Sequence, residues 1–442
     1  MQTADVLIVG AGASGTLLGV HLLGRGASVI LVERHGRLEG RGVAYGEAGP
    51  LHLLNVRAAG MSAYPDRPDH FAAWLEAKGR GAGTSFALRR DYGDYLVALL
   101  ADAETRGPGV LERVDGEIVD LQEAGDGVTA ILPDGRHLHA RHAVIASGNL
   151  PPLPPPGIDQ TLPPDIWVAD PWASDPASGL RDADHVVLVG TGLTAVDVAV
   201  QLDAAGFGGK ITAVSRRGLM PRVHADPEPR PAPPTLDDDR LSGMLRRIRR
   251  LGDEIGWRAA VDALRPVTQP LWQEADLRVR RRFLRHLRPW WDVHRHRIAP
   301  QVGERLAAMA KAGRLEVLAA RTFATVAEPS GVALTIRRRG ASATEVIHAR
   351  RLVNCTGPGT DVSRSGDPLL TTLLQRGTVR SGPLRLGVEV SDQCDTLDSA
   401  GAASSRIHAI GPITRERFWE VVAVPDIRQQ AAVLAARLAP DQ

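Results

Sequence analysis

Asp5-Val-Leu-Ile-Val-Gly10-Ala-Gly12-Ala-Ser-Gly15 decides the fold of this 442-residue chain. A short β-branched run ends in a Gly-x-Gly-x-x-Gly loop. Leu17, Leu18, Val20, Leu22 and Leu23 continue at spacings that predict a helix. The next run, Ser28-Val-Ile-Leu-Val-Glu33, ends in an acid 18 residues after Gly15. Each part has a task. Gly10 permits the tight turn, Gly12 lets backbone approach a pyrophosphate, and Gly15 lets helix and strand pack closely. Ala13 and Ser14 open the helix, whose free N–H groups and partial positive charge suit phosphates. Glu33 can accept both hydroxyl hydrogens of an adenosine ribose, with Arg34 beside it. The order of strand, glycines, helix, strand and acid predicts a dinucleotide site for FAD.

The same grammar recurs in His185-Val-Val-Leu-Val-Gly190-Thr-Gly192-Leu-Thr-Ala195-Val-Asp197, with Ala195 as the third small residue. Thr191, Leu193 and Thr194 line this second turn. The following strand, Lys210-Ile-Thr-Ala-Val-Ser215, leads into Arg216-Arg217 rather than an acid. An acid there repels a 2′-phosphate, whereas guanidinium groups bind one bidentately and stack on adenine. The second site is therefore expected to take NADPH, with NADH not excluded. In a chain this rich in arginine, solvated Arg216 and Arg217 are the plainer alternative.

Each site is followed by a meander and a strand ending in small residues. Val114 to Val119, Val128 to Leu132 and His137 to His139 lead into His142-Ala-Val-Ile-Ala-Ser-Gly148. Leu315 to Leu318, Val332 to Ile336 and Glu345 to His348 lead into Leu352-Val-Asn-Cys-Thr-Gly357. Ile118, Ala146, Ser147, Gly148 and Gly411 are assigned to the flavin, and Thr356 and Gly357 to the second nucleotide. The expected fold class is α/β, with two Rossmann-like dinucleotide-binding domains of three-layer ββα type. The FAD domain spans 1–150 and 351–442, and the NAD(P) domain spans 151–350. An α-helical insertion lies at about 221–313.

Composition excludes several classes. Charge is nearly balanced, 53 basic against 51 acidic residues, and all but Lys78, Lys210 and Lys311 of the basic ones are arginine. The sequence lacks an apolar run long enough to span a membrane. Two cysteines without a CxxC make neither a disulfide framework nor a redox dithiol. Cys355 reads as a small packed residue. The first residues carry no basic leader, so the expected compartment is the cytoplasm. The histidines show no ligand spacing, and no metal site is expected.

The residues resemble a known group. Ala146-Ser-Gly148 and Cys355-Thr-Gly357 are similar to the "ATG" strand ends of two-dinucleotide-binding flavoproteins, the superfamily of flavin-containing monooxygenases and N-hydroxylases. Gly42-Val-Ala-Tyr-Gly46, Leu53-Leu-Asn-Val56 with Met61-Ser-Ala63, Phe283-Leu-Arg-His-Leu287 and the stretch from Phe418 to Gln430 resemble the bacterial FAD/NAD(P)-binding (YdhS-like) family. One departure concerns the acid that the superfamily places after the glycine of its last strand to hold the ribityl chain. Here Gly411 is followed by Pro412, so that contact must come from elsewhere. A closing helix between Val421 and Leu438 is expected to point its N-terminus at the isoalloxazine.

The resemblance implies NADPH-dependent hydroxylation of a small molecule by O2, at nitrogen or on a heterocycle, through a flavin C4a-hydroperoxide kept in a dry pocket. Asn55, with Met61 nearby, is similar to the segment whose Asn lies at the flavin's reactive edge, and is the expected catalytic residue. A turn-forming Asn is the plainer reading. Trp419 is assigned to the flavin pocket, where it is expected either to stack on an aromatic substrate or, more simply, to seal the cavity. Two other outcomes stay open: an NAD(P)H dehydrogenase or oxidase without oxygen transfer, and a non-catalytic flavin-bearing binding or regulatory protein. A homodimer is compatible with the sequence.

The insertion carries Trp257, Trp272, Trp290 and Trp291, half of the eight tryptophans, among many arginines. A Pro-rich stretch from Pro227 to Pro234 and Asp237-Asp-Asp239 precede it. It reads as a helical subdomain with a Trp core and solvated arginines, or as a cap offering Arg to an anion. Binding to nucleic acid or a membrane surface is disfavoured by the small net charge.

Overall fold

The computed structural model describes residues 3–36, 40–46, 49, 51–225, 232–235 and 240–439. Most of the Pro-rich stretch, Pro227 to Pro231, and the acidic run Asp237 to Asp239 lie outside them. The opening run forms β1 (Ala4–Val9), followed by α1 (Ala13–Leu23) and β2 (Ser28–Glu33). Then come α2 (Gly42–Gly46), α3 (His70–Ala77), α4 (Arg89–Arg106), β3 (Val110–Asp115), β4 (Asp120–Ala124), β5 (Gly127–Ile131) and β6 (His137–Ile145). The run Val114 to Val119, expected as one strand, is split. β3 follows β2 only to Asp115, and the chain then turns at Gly116, whose N–H donates to the Glu33 carbonyl.

The chain continues through β7 (Trp167–Val168), β8 (His185–Val189), α5 (Leu193–Ala204) and β9 (Lys210–Ser215). Five short helices follow: α6 (Leu241–Ile255), α7 (Trp257–Ala263), α8 (Arg265–Glu274), α9 (Leu277–His286) and α10 (Arg288–Arg295). The chain then runs through α11 (Pro300–Lys311), β10 (Leu315–Glu328), β11 (Gly331–Arg338), β12 (Glu345–Ala349), β13 (Arg351–Asn354), α12 (Pro368–Arg376), β14 (Asp395–Leu397), β15 (Ala403–Ala409) and α13 (Val424–Leu438).

Two sheets result. The first runs β14-β15-β6-β1-β2-β3, parallel from β15 to β3, with β5 pairing β6 and β4. The second runs β12-β11-β10-β9-β8-β13-β7, parallel from β10 to β7. Both use one device. β6 pairs β5 along its first residues and β1 along its last, and β10 serves β9 first and β11 afterwards. One long strand thereby belongs to a Rossmann sheet and to the meander covering it, which gives the second β layer. Parallel strands covered on both faces read as continuous apolar runs. Accordingly, Val6, Ile8, Leu31 and Val144 face one cluster, while Leu7, Ala143, Ile145 and Ile407 face the other.

Two expected boundaries shift. β13 pairs β8 in the second sheet, so the return to the first sheet comes after Asn354 rather than at 350. The insertion is also shorter than 221–313. α11 packs on α5 and β10 as the crossover helix of the second Rossmann unit. The neck closes where Val223 pairs Ile298, with His224 N–H donating to the Ile298 carbonyl at 3.0 Å. Among the described residues no helix is long and apolar enough to cross a membrane.

Candidate functional site

The first glycine loop is shaped by its neighbours. Gly10 has φ +110°, and a Cβ there would lie 2.6 Å from the Ala146 carbonyl oxygen; one on Gly15 would lie 1.9 Å from that of Gly10. Helix α1 starts at Gly12 with no side-chain cap, so its first-turn N–H groups stay available to an anion. Glu33 accepts the Ala11 N–H at 2.7 Å, which fixes the acid at the loop. Ser14 is buried beneath Gly411, where φ is +79° and a Cβ would meet Ser14 Oγ at 2.3 Å. Gly42 comes from α2 and packs on Gly12, with a clearance of 2.7 Å for an added Cβ. At the end of β6, Ala146 is buried, Ser147 Oγ is buried without a hydrogen-bond partner among the described residues, and Gly148 has φ +68°. Ile118 and Met61 are buried in the two clusters that flank the sheet. An uncapped helix, a glycine cradle and an orphaned hydroxyl fit a dinucleotide.

Arg34 stands differently. Its guanidinium lies 3.0 Å from Glu117 and 3.4 Å from Asp367, tying the end of β2 to α12. At Gly411 the N–H donates to Gln430 Oε1 at 2.8 Å, and Gln430 also donates to Thr414 Oγ1 at 3.1 Å. The side chain of α13 thus holds the turn where the superfamily's acid is missing.

The second loop repeats the arrangement. Gly190 has φ +131° and no room for a Cβ against the Cys355 carbonyl; α5 starts uncapped at Gly192, around which a Cβ would meet nothing within 4 Å. Thr191 Oγ1 lies 2.8 Å from Ser215 Oγ and donates to the Leu219 carbonyl at 2.6 Å, joining the loop to the end of β9. Leu193 and Thr194 form the first residues of α5. Arg216 is exposed and Arg217 half-buried; among the described residues neither has an ion-pair partner. Thr356 donates to Asn354 Oδ1 at 2.7 Å, and Gly357 has φ +85°.

Asn55 lies where the two domains meet. Leu51 to Asn55 line a pocket with Val196, Asp197 and Val200 of α5 and with Ile298, Ala299 and Val302. The Asn55 side-chain amide is engaged by no described residue, while its carbonyl accepts from His224 Nε2 at 3.0 Å. His52 donates to the Asp197 carbonyl at 3.1 Å, and burial pushes its imidazole below the usual range. Sequence reading missed His224, because nothing local links position 224 to position 55.

Trp419 is 1% exposed and stacks on Trp272 of α8 at 4.7 Å, with Phe283 edge-on and the Arg415 guanidinium 4.2 Å from its ring. Next to it, Trp291 Nε1 donates to Glu420 at 2.9 Å, and Arg295 lies 3.4 Å from the same carboxylate. Burial alone would raise the Glu420 pKa. The His296 hydrogen bond and the charges of His296 and Arg295 outweigh it and hold it at about 2. The insertion is thereby clamped onto the segment preceding α13. Its remaining arginines divide: Arg297 is buried against Asp262 at 2.8 Å, whereas Arg249, Arg281 and Arg285 are exposed.

Both cysteines are buried, Cys355 after β13 and Cys394 before β14, and burial pushes both thiols up, Cys394 to about 11. Among the described residues no group of three His, Cys, Asp or Glu side chains is placed to hold a metal ion.

Residues 7–150 match a family model described as FAD-NAD(P)-binding. The whole chain has the fold of the two-dinucleotide-binding flavoproteins, a class that includes monooxygenases and reductases. Ornithine N-hydroxylase of Kutzneria sp. 744, solved with reduced FAD, NADP+ and L-ornithine, superposes with a TM-score of 0.66 at 17% identity, over 99% of each chain. L-lysine 6-monooxygenase of Pseudomonas syringae gives 0.67 at 16%, over 98% of this chain and 99% of that one. Thioredoxin reductase of T. acidophilum gives 0.56 at 13%, over 100% and 99%. No curated protein matches the chain in sequence.

Proposed function

We propose that the chain is an FAD-dependent, NADPH-using monooxygenase that hydroxylates a small molecule, at nitrogen or on a heterocycle, in the cytoplasm. One observation carries the reading. Asn55, whose side-chain amide has no partner among the described residues, is one of the residues lining the pocket between the first domain and α5, the helix that starts at the second glycine loop. The loop from Gly10 to Gly15 would hold FAD, which would supply hydride acceptance from the nicotinamide and the activation of O2 at this site.

The chain's own groups do the rest. The loops at Gly10 to Gly15 and Gly190 to Ala195 hold the pyrophosphates, and Glu33 and Arg216 sort the two riboses. Asn55 donates or accepts a hydrogen bond without changing charge, which suits an oriented contact at the reacting edge. His224 fixes the Asn55 backbone, and the Trp419 cluster excludes water from the side of the insertion. The reductase branch of the fold finds less support: a dithiol mechanism needs an accessible thiolate, and both cysteines are buried with raised pKa values.

The test is the fate of NADPH electrons in Asn55→Ala. FAD content should stay at wild-type level while the share of electrons released as hydrogen peroxide rises several-fold, measured against a panel of small amines and heterocycles. Unchanged peroxide release removes Asn55 from the chemistry. Failure of the wild type to incorporate labelled O2 into any member of the panel favours an oxidase or dehydrogenase.

A further inference from the structure

The insertion reaches the end of the second nucleotide site through Trp290. The Arg217 guanidinium carbon lies 6.0 Å from the centroid of the Trp290 ring, on α10. Trp290 is 42% exposed, whereas Trp272 in the same insertion is buried. An open indole therefore stands beside the Arg217 guanidinium, and neither Arg217 nor the preceding Arg216 has a carboxylate partner among the described residues. The loop that carries them is anchored: Ser215 Oγ accepts the Gly218 N–H at 3.0 Å and contacts Thr191 of the glycine loop at 2.8 Å. The indole's neighbour on α10, Trp291, donates to Glu420 of the segment before α13.

We propose that Trp290 is part of the nucleotide site, forming with Arg217 a stacking wall for the purine while Arg216 binds the 2′-phosphate. The inference rests on the second site's taking NADPH. A flat indole and the guanidinium plane of Arg217 gain from stacking on any purine, whereas Arg216 discriminates through the charge of the 2′-phosphate. The two contributions are therefore separable. Because α10 carries Trp290 and Trp291 side by side, the helix that touches the nucleotide is also the one clamped to the flavin domain.

Binding of adenosine 2′,5′-bisphosphate and of 5′-AMP to the FAD-loaded protein, followed by calorimetry, tests this without turnover. The wild type should prefer the bisphosphate about tenfold or more. Trp290→Ala should weaken both ligands by a similar factor, about fivefold or more, and Trp290→Phe should recover most of that loss. Arg216→Ala should abolish the preference and leave AMP binding unchanged. If Trp290→Ala binds both ligands like the wild type while the preference persists, the stacking wall is overturned and the NADPH reading stands. Absence of any preference in the wild type overturns the NADPH reading and this proposal with it. Trp290 is exposed, so Trp290→Ala should keep the wild-type circular dichroism spectrum.

Discussion

Arg89 and Asp197 join the two domains: the guanidinium Nη2 lies 2.8 Å from the carboxylate, and both side chains are nearly buried, 13% and 12% exposed. Arg89 begins α4 of the first domain and also donates to the Leu53 carbonyl, whereas Asp197 sits on α5 of the second. The pair thus fixes the strand of chain bearing Asn55 against the helix that starts at the second glycine loop.

Removing one partner strands a charge in the interface. Asp197→Ala should cost about 3–5 kcal/mol in denaturant unfolding, because Arg89 is left desolvated and unpaired. Replacing both residues with leucine should cost clearly less than Asp197→Ala alone. A double variant as damaged as the single one would mean that the pair's geometry, not the stranded charge, governs the interface.

The glycine cradle makes a contrast among three alanine variants. Gly15→Ala and Gly411→Ala place a Cβ 1.9 Å from the Gly10 carbonyl oxygen and 2.3 Å from Ser14 Oγ, and should purify with little or no FAD. Gly192→Ala meets nothing within 4 Å and should retain FAD at wild-type stoichiometry. The flavin-to-protein absorbance ratio reads out all three.

Acid sensitivity should begin at a histidine pair away from the cleft. His142 Nδ1 and His408 Nε2 share a hydrogen bond at 3.2 Å, and His408 faces Asp395 at 2.9 Å. Burial, then the charges of His408, Arg406 and Arg437, lowers His142 to about 4. The unfolded chain takes up this proton near 6.5 and the folded chain only near 4, so stability is full above pH 6.5 and falls as pH drops towards 4. His142→Gln should flatten that part of a melting-temperature profile. A slope identical to the wild type between pH 6.5 and 4 would assign the loss to other groups.

Trp419→Ala should separate the insertion from the flavin domain. Emptying a fully buried indole site costs about 3–5 kcal/mol, and Trp272 and Phe283 lose their stacking partner. Limited proteolysis should then cut between α6 and α10 before the rest of the chain. Cutting at the wild-type rate would show that Glu420 and its partners hold the insertion without the aromatic cluster.

Local order was readable because a Rossmann start is written in consecutive residues. The run before Gly10 makes β1, α1 starts uncapped at Gly12, and Glu33 returns to the loop through Ala11. All of that depends on backbone geometry, which glycine and β-branching constrain directly. The duplicated pattern determined the fold class for the same reason. What only the tertiary structure decided rests on partners far apart in the chain. Arg34, placed by its neighbours beside a ribose acid, is instead drawn to Glu117 and to Asp367, 333 residues away. His224 finds the Asn55 carbonyl, Gly42 covers Gly12, and the insertion ends at Ile298 because α11 is needed to cover the second sheet. Such contacts have no period or spacing in the sequence. They are set by which buried charges and apolar faces are brought within reach once both sheets have formed, and so they exist only in the folded chain.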